Sequence, residues 1–341
     1  MPIYPLNNKV IAITSGDPAG IGPELILRSL STIKVRGVKF LIIADKAVFD
    51  KARNELKNKI PHLCKYELVD KKNLKNLKEK ISLLDLNIIG QRKYSLGKVS
   101  KLCGKASAEY VLEADRLINK KIIHALVTAP INKDAVNLAG YNWKGHTEVL
   151  AKLSKSKNFA MSFIAKQFKV VLVTTHIPLS KVSQKLKSED IYKKIELTNK
   201  YLKNYFKISH PSIGICGLNP HASDNGLFGN EEKKIIKPAV VRARKKKINA
   251  LGPHSAEKLF YDAYHKKIDA VIAMYHDQAL IALKMILRDE AVNFTMGLPY
   301  IRTSCSSGTA YDIASKFIAK ENTMTAAIKL AVQLSTAQKK V

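Results

Sequence analysis

The sequence predicts an α/β fold of two lobes, each a layered and mostly parallel sheet, on three observations. Short apolar runs rich in Val, Ile and Leu alternate with amphipathic helical patterns along the chain. The runs are continuously apolar, as strands buried on both faces are. The length of 341 residues exceeds what one hydrophobic core usually serves. No repeat or Pro/Gly-rich linker marks a boundary, so the lobes are expected to be discontinuous, residues 1–130 with 290–341 and residues 131–289.

The elements follow in order. VIAITSG (10–16) reads as a strand and GPELILRSLS (22–31) as a helix. VKFLIIAD (38–45) and KAVFDKARNELKN (46–58) repeat the pair. SAEYVLEADRLINKK (107–121) has helical spacing at Val111, Ala114, Leu117 and Ile118, and the strand-like ALVTAP (125–130) follows. MSFIA and KVVLVTTH are two successive strands with a short link, the pattern of a hairpin or a sheet edge. Positions 191, 195, 198, 202 and 205 fall on one largely apolar face and define an amphipathic helix over 191–206. SIGICGLN, DAVIAMYH and AVNFTM supply further strands, with helices over SAEKLFYDAY, DQALIALKMI and NTMTAAIKLAVQLSTAQ.

Composition narrows the function classes. No apolar stretch approaches the roughly 18 residues a membrane span needs, and the N-terminus lacks a signal pattern. The four cysteines are far apart and form no C-x-x-C pair, which suits a reducing compartment and predicts a cytoplasmic protein. The net charge of +30 invites a nucleic-acid reading. Yet the 49 lysines against 9 arginines are scattered, and no basic heptad, zinc finger or aromatic RNA motif accompanies them. No nucleic-acid or membrane partner is expected. The positive field would help to draw in an anionic substrate.

Three histidines sit where apolar runs end: His176 after VVLVTT, His221 after IGICGLNP and His276 after AVIAMY. In open α/β sheets ligands bind outside the carboxyl ends of strands. Imidazoles delivered there by three strands make a divalent-metal site with open positions, suited to polarising an oxygen of a small substrate. The competing reading is three polar residues emerging from the core. SGDPAGIGPE (15–24) joins the first strand to a helix, and its glycines suit either an anion- or cofactor-facing loop or a tight turn. It is not G-x-G-x-x-G, so no Rossmann fingerprint is present. In GHTE, Thr147 precedes a helical pattern and is expected to cap it, with His146 beside it. Lys284 lies two helical turns beyond His276 and is either a site residue or a solvated one, while Asp277 is placed to orient a ligating imidazole. Asn293 and Arg302 are expected near another strand end, with Arg302 suited to a carboxylate or phosphate. SSGTAYDIASK, with Gly308, Thr309 and Asp312, is expected to open a helix and contact a cofactor.

Together SGDPAGIGPE, VTAPINK, GHTE, TTHIPL, GLNPHA, AMYHDQ, NFTMGLPYIRTS and GTAYDIA resemble the 4-hydroxythreonine-4-phosphate dehydrogenase family, from residue 15 to about 315. The resemblance implies a fold similar to isocitrate and isopropylmalate dehydrogenases and a homodimer whose active site lies at the cleft and subunit interface. It implies that His176, His221 and His276 are metal ligands drawn from both subunits, and that His146, Thr147, Lys284, Asn293 and Arg302 touch the substrate. The implied reaction is NAD- or NADP-dependent oxidation of 4-phosphohydroxy-L-threonine to 2-amino-3-oxo-4-phosphooxybutanoate. That β-keto acid then decarboxylates to 3-amino-2-oxopropyl phosphate, a step in pyridoxine 5'-phosphate synthesis. The metal would be Zn, Mg, Mn or Co; three neutral imidazoles suit Zn or Co better than Mg. His146 and Lys284 are both candidates for proton transfer.

Two positions depart from the family pattern. Ser306 and Ser307 stand where an acidic residue and a histidine are usual before GTA, which leaves NAD and NADP preference open. Glu257-Lys258 replaces the commoner aspartate and threonine. The alternative within the class is a dehydrogenase of phosphorylated four-carbon sugar acids such as phospho-threonate or phospho-erythronate. Outside it stand a non-catalytic binder of nucleic acid or an anionic surface, and an acyltransferase on a similar scaffold.

Overall fold

The computed structural model describes residues 9–166, 168–287 and 290–337. Its strands are β1 Lys9–Thr14, β2 Val38–Ala44, β3 Glu67–Leu68, β4 Ile81–Asp85, β5 Ala125–Thr128 and β6 Ala160–Ala165. β7 Phe168–Leu172, β8 Ser212–Cys216, β9 Asn249–His254, β10 Ala270–Ala273, β11 Val292–Met296 and β12 Ile301–Cys305 complete the set. Within the described residues the chain divides into two compact units, 9–155 with 298–336 and Ser156–Gly297 with Ala337.

The first unit carries strands in the order β3-β4-β2-β1-β5-β12, every pair parallel. Ile11, Ile13, Phe40, Leu41, Ile42, Leu126 and Val127 are all fully buried, so both faces of the central strands are covered, as their unbroken apolar runs require. Helices Gly22–Thr32, Lys46–Leu56, Lys101–Asn119 and Asn322–Ala337 supply the cover.

The second unit is ordered β11-β6-β7-β10-β8-β9. β7, β10, β8 and β9 run parallel, while β6 is antiparallel to both β7 and β11. Its core gathers Phe163, Phe168, Val170, Leu172, Leu259, Val271 and Leu283. The fold class is thus the expected mixed α/β with a largely parallel sheet.

Several local expectations change. MSFIA and KVVLVTTH do form a hairpin, but β6 is interior, flanked by β7 and β11, and is no sheet edge. The helix expected from 107 begins at Lys101, where Ser100 Oγ accepts the Cys103 N–H at 3.5 Å as an N-cap. No helix opens at 306–316; turns occupy 311–317, bounded by Ala310 just before them and Phe317 at their end with φ of 44° and 52°, and the helix starts at Asn322. Arg302 and Asn293 are the second residues of β12 and β11, near the amino rather than the carboxyl ends of their strands. Segment 131–155 packs with the first unit, where Lys133–Leu138 lies so close on Lys101–Asn119 that a Cβ on Gly104 would sit 1.9 Å from Ala135 O.

Candidate active site

In the first unit three motif loops leave the carboxyl ends of the adjacent parallel strands β1, β5 and β12. They interlock through backbone. Asp17 N–H donates to Pro130 O at 2.8 Å and Ile21 N–H to Thr309 O at 3.1 Å. Gly16 has φ +70°, and a Cβ there would meet Pro130 O at 2.2 Å; one on Gly20 would meet Thr309 O at 2.9 Å. These glycines therefore serve close loop packing. Sequence reasoning missed Asp17 and Tyr311. Asp17 is fully buried, accepts from Ala19 N–H and from the Tyr311 hydroxyl at 2.8 Å each, and burial raises its carboxyl pKa. A lone Asp before Pro reads only as a turn residue, so its sequence signal is weak. Gly308 is exposed with open space on its Cβ side, Thr309 is half-buried and Asp312 is exposed.

Arg302, buried within β12, sends Nη2 to Thr128 Oγ1 at 2.7 Å and Nη1 to Thr147 Oγ1 at 3.4 Å. Burial lowers its pKa to about 10, so it stays cationic at neutral pH. Thr147 does not cap the helix His146–Leu153; Gly145 holds the cap position and the threonine hydroxyl turns to the guanidinium instead. His146 opens that helix. Its Nε2 is enclosed and has no hydrogen-bond partner among the described residues, and burial together with Arg302 holds the imidazole pKa well below its ordinary value. A neutral imidazole keeps one N–H donor and one acceptor nitrogen.

In the second unit the three histidine turns leave β7, β10 and β8, which are neighbours. His176 and His276 come together, ring centroids 5.7 Å apart. His276 Nδ1 lies 2.7 Å from Asp277 Oδ1, which leaves Nε2 as the outward nitrogen. Lys284 is exposed and lines an open hollow with His276, Asp277, Leu280, Ile281 and Met285. Asn293 Oδ1 is enclosed without a hydrogen-bond partner among the described residues. Glu257 is exposed on the helix Ala256–Tyr264.

His221 stands in a different setting. From His221 to Asn225 five consecutive residues have φ between 43° and 67°, a left-handed turn costing roughly 1–2 kcal/mol per residue. Glu232, itself buried, steadies the approach: its Oε1 accepts the Leu218 and Asn219 N–H groups, both at 2.8 Å. Among the described residues no three His, Cys, Asp or Glu side chains of one chain stand close enough to hold a metal. Two imidazoles with a carboxylate behind one of them do suit a divalent ion as part of its ligand set.

Comparison with known proteins agrees along nearly the whole chain. The family model described as pyridoxal phosphate biosynthetic protein PdxA matches residues 37–331. A 4-hydroxythreonine-4-phosphate dehydrogenase from a Sulfurihydrogenibium species is 40% identical over 96% of this chain and 99% of its own. A D-threonate 4-phosphate dehydrogenase from Salmonella typhimurium is 38% identical over 97% of this chain and 100% of its own. The crystal structure of 4-hydroxythreonine-4-phosphate dehydrogenase from Klebsiella pneumoniae superposes with TM-score 0.84 at 34% identity, covering 97% of this chain and 98% of that one. The parallel α/β units and these relatives define the class: an oxidoreductase, specifically a dehydrogenase. Within that class the chain belongs to the PdxA family of pyridoxal phosphate biosynthetic proteins. A dehydrogenase requires a redox partner, and for this family that is a nicotinamide cofactor.

Proposed function

We propose that this chain oxidises 4-phosphohydroxy-L-threonine to 2-amino-3-oxo-4-phosphooxybutanoate, which decarboxylates to 3-amino-2-oxopropyl phosphate, using NAD or NADP and one divalent metal per site. The observation that carries this reading is the family match over 37–331, which takes in every candidate residue from His146 to Asp312. When bound, the metal would act as a Lewis acid on the substrate hydroxyl and the nicotinamide would take the hydride. The chain's own groups divide the remaining work. Arg302, braced by Thr128 and Thr147, offers a buried cation to the anionic substrate. His146, whose Nε2 has no hydrogen-bond partner among the described residues, and exposed Lys284 are the two candidates for taking the hydroxyl proton. Asp277 keeps His276 in the tautomer that presents Nε2, and Gly308, Thr309 and Asp312 form the cofactor-facing loop.

The metal ligands are His176, His221 and His276, completed in a homodimer. Large exposed apolar residues flank each of them: Ile177 and Leu179, then Leu227 and Phe228, then Ile281 and Met285. Such a patch around candidate ligands suits a second copy of the chain. All four cysteines are buried free thiols, in keeping with the cytoplasm.

A second reading, oxidation of D-threonate 4-phosphate, is favoured by the equally long match to the enzyme that bears that name. The test follows NADH and NADPH formation from both substrates, with a chelator and with Zn, Co, Mn or Mg restored. Chelator-sensitive turnover faster on phosphohydroxythreonine is expected. Turnover only on phospho-threonate would transfer the assignment to the second reading, and activity indifferent to chelation would remove the metal from it.

A further inference from the structure

We propose that Gln278 is a positioning residue that sets the spacing between the His276 and His221 turns, by bridging them with its side-chain amide just past the last rung of the sheet. The parallel ladder of β10 and β8 pairs Ala270 with Ile213, Val271 with Gly214 and Ile272 with Ile215. The same offset brings Met274 into register with Gly217, one residue past the end of each strand. Those two residues are bridged by one side chain: Met274 N–H donates to Gln278 Oε1 at 2.7 Å, and Gln278 Nε2 donates to Gly217 O at 2.8 Å. The amide therefore stands between a donor and an acceptor that belong to register mates, making one bond to each. With one bond to each chain, the amide fixes the separation of the two chains at this point.

The seam on the other side of β10 is built differently. Thr174 reaches Met274 O directly, through its N–H at 3.2 Å and its hydroxyl at 2.7 Å, so the His176 turn stays close to the His276 turn. On the Thr174 side the imidazoles pair, His176 and His276 with ring centroids 5.7 Å apart, and on the other the His221 turn is tied to Met274 through the Gln278 amide. Met274 is thus the shared anchor, with its carbonyl tied to the His176 side and its N–H tied, through Gln278, to the His221 side. In a two-fold dimer every chain contributes both turns to the symmetric pair of sites, so this spacing governs the ligand geometry at each.

The inference rests on the reading of His176, His221 and His276 as metal ligands, and the experiment separates the two. Zn2+ affinity is measured by calorimetry on the metal-free, full-length protein, alongside the visible absorption of bound Co2+ and the thermal midpoint. Gln278→Met removes both bonds at similar length and should weaken metal binding about 10- to 100-fold, the usual consequence of losing a group that orients ligands. The Co2+ spectrum should change with it. Gln278→Glu keeps an acceptor for Met274 N–H but no donor for Gly217 O, and should also weaken binding; it serves as the readout should the methionine variant not fold. Folded variants that bind Zn2+ within twofold of the parent, with the parent's Co2+ spectrum, would overturn the inference even if their thermal midpoints fall, because only a structural bond would then have been lost. His276→Ala and His221→Ala are the control for the underlying reading. If both bind metal as the parent does, the ligand assignment falls, and the role of Gln278 with it.

Discussion

At the scale of single residues, burial decides which side chains can do chemistry. His146 has its pKa held well below the ordinary imidazole value by burial first and by the Arg302 charge second. Its folded-state pKa is therefore below the unfolded value of about 6.5. Between the two, the unfolded chain binds a proton that the folded chain does not, so stability is lost as pH falls through and below about 6.5. His146→Gln abolishes that linkage. Thermal midpoints of metal-free protein between pH 7.5 and 5 should decline more steeply for the parent than for the variant; parallel declines would show that His146 titrates normally. The histidine was legible from the GHTE motif, but its protonation state was not. That state depends first on burial and then on Arg302, which is 156 positions away in the chain and is brought near by the pairing of β12 with β5.

At the scale of elements, close approach rather than propensity sets the frame that carries His146. The helices Lys101–Asn119 and Lys133–Leu138 meet at Gly104, where a Cβ would stand 1.9 Å from Ala135 O. In isolation Ala favours a helix over Gly by about 1 kcal/mol. Here Gly104→Ala should instead destabilise the protein by about 1–3 kcal/mol, since the second helix must move off. Urea denaturation checks this, with Gly308→Ala as the control, because a Cβ there meets nothing within 4 Å. A stabilised Gly104→Ala protein would mean that the helices part freely. Sequence periodicity found the helix body but not its start at Lys101, because the Ser100 cap leaves no mark in the apolar spacing. It also missed β12 as a strand. IRTSC places Arg, Thr and Ser on a buried strand, and only their tertiary partners make those polar groups tolerable there.

At the scale of the whole molecule, the helix His276–Leu287 leaves Met285 82% and Ile281 62% exposed beside the candidate ligand His276. Apolar surface of that kind is costly in water and is covered, in the proposed homodimer, by the second chain. Ile281→Glu combined with Met285→Glu should yield a monomer in sedimentation velocity and should abolish metal-dependent turnover along with the dimer. A doubly substituted protein that still sediments as a dimer would place the interface elsewhere.

The alternating pattern, the continuous apolar strands and the eight motif segments are properties of local chain chemistry, so the fold class, the family and the three histidine positions could be read from the sequence alone. What the tertiary structure decided is which of those groups meet. Strand order β7-β10-β8 sets the histidine turns side by side, Thr174 and Gln278 tie the flanking turns to Met274 in different ways, and the register of β12 on β5 carries Arg302 to Thr128 and Thr147. Register and strand order arise from contacts between segments far apart in the chain, and no local pattern of residues encodes those contacts.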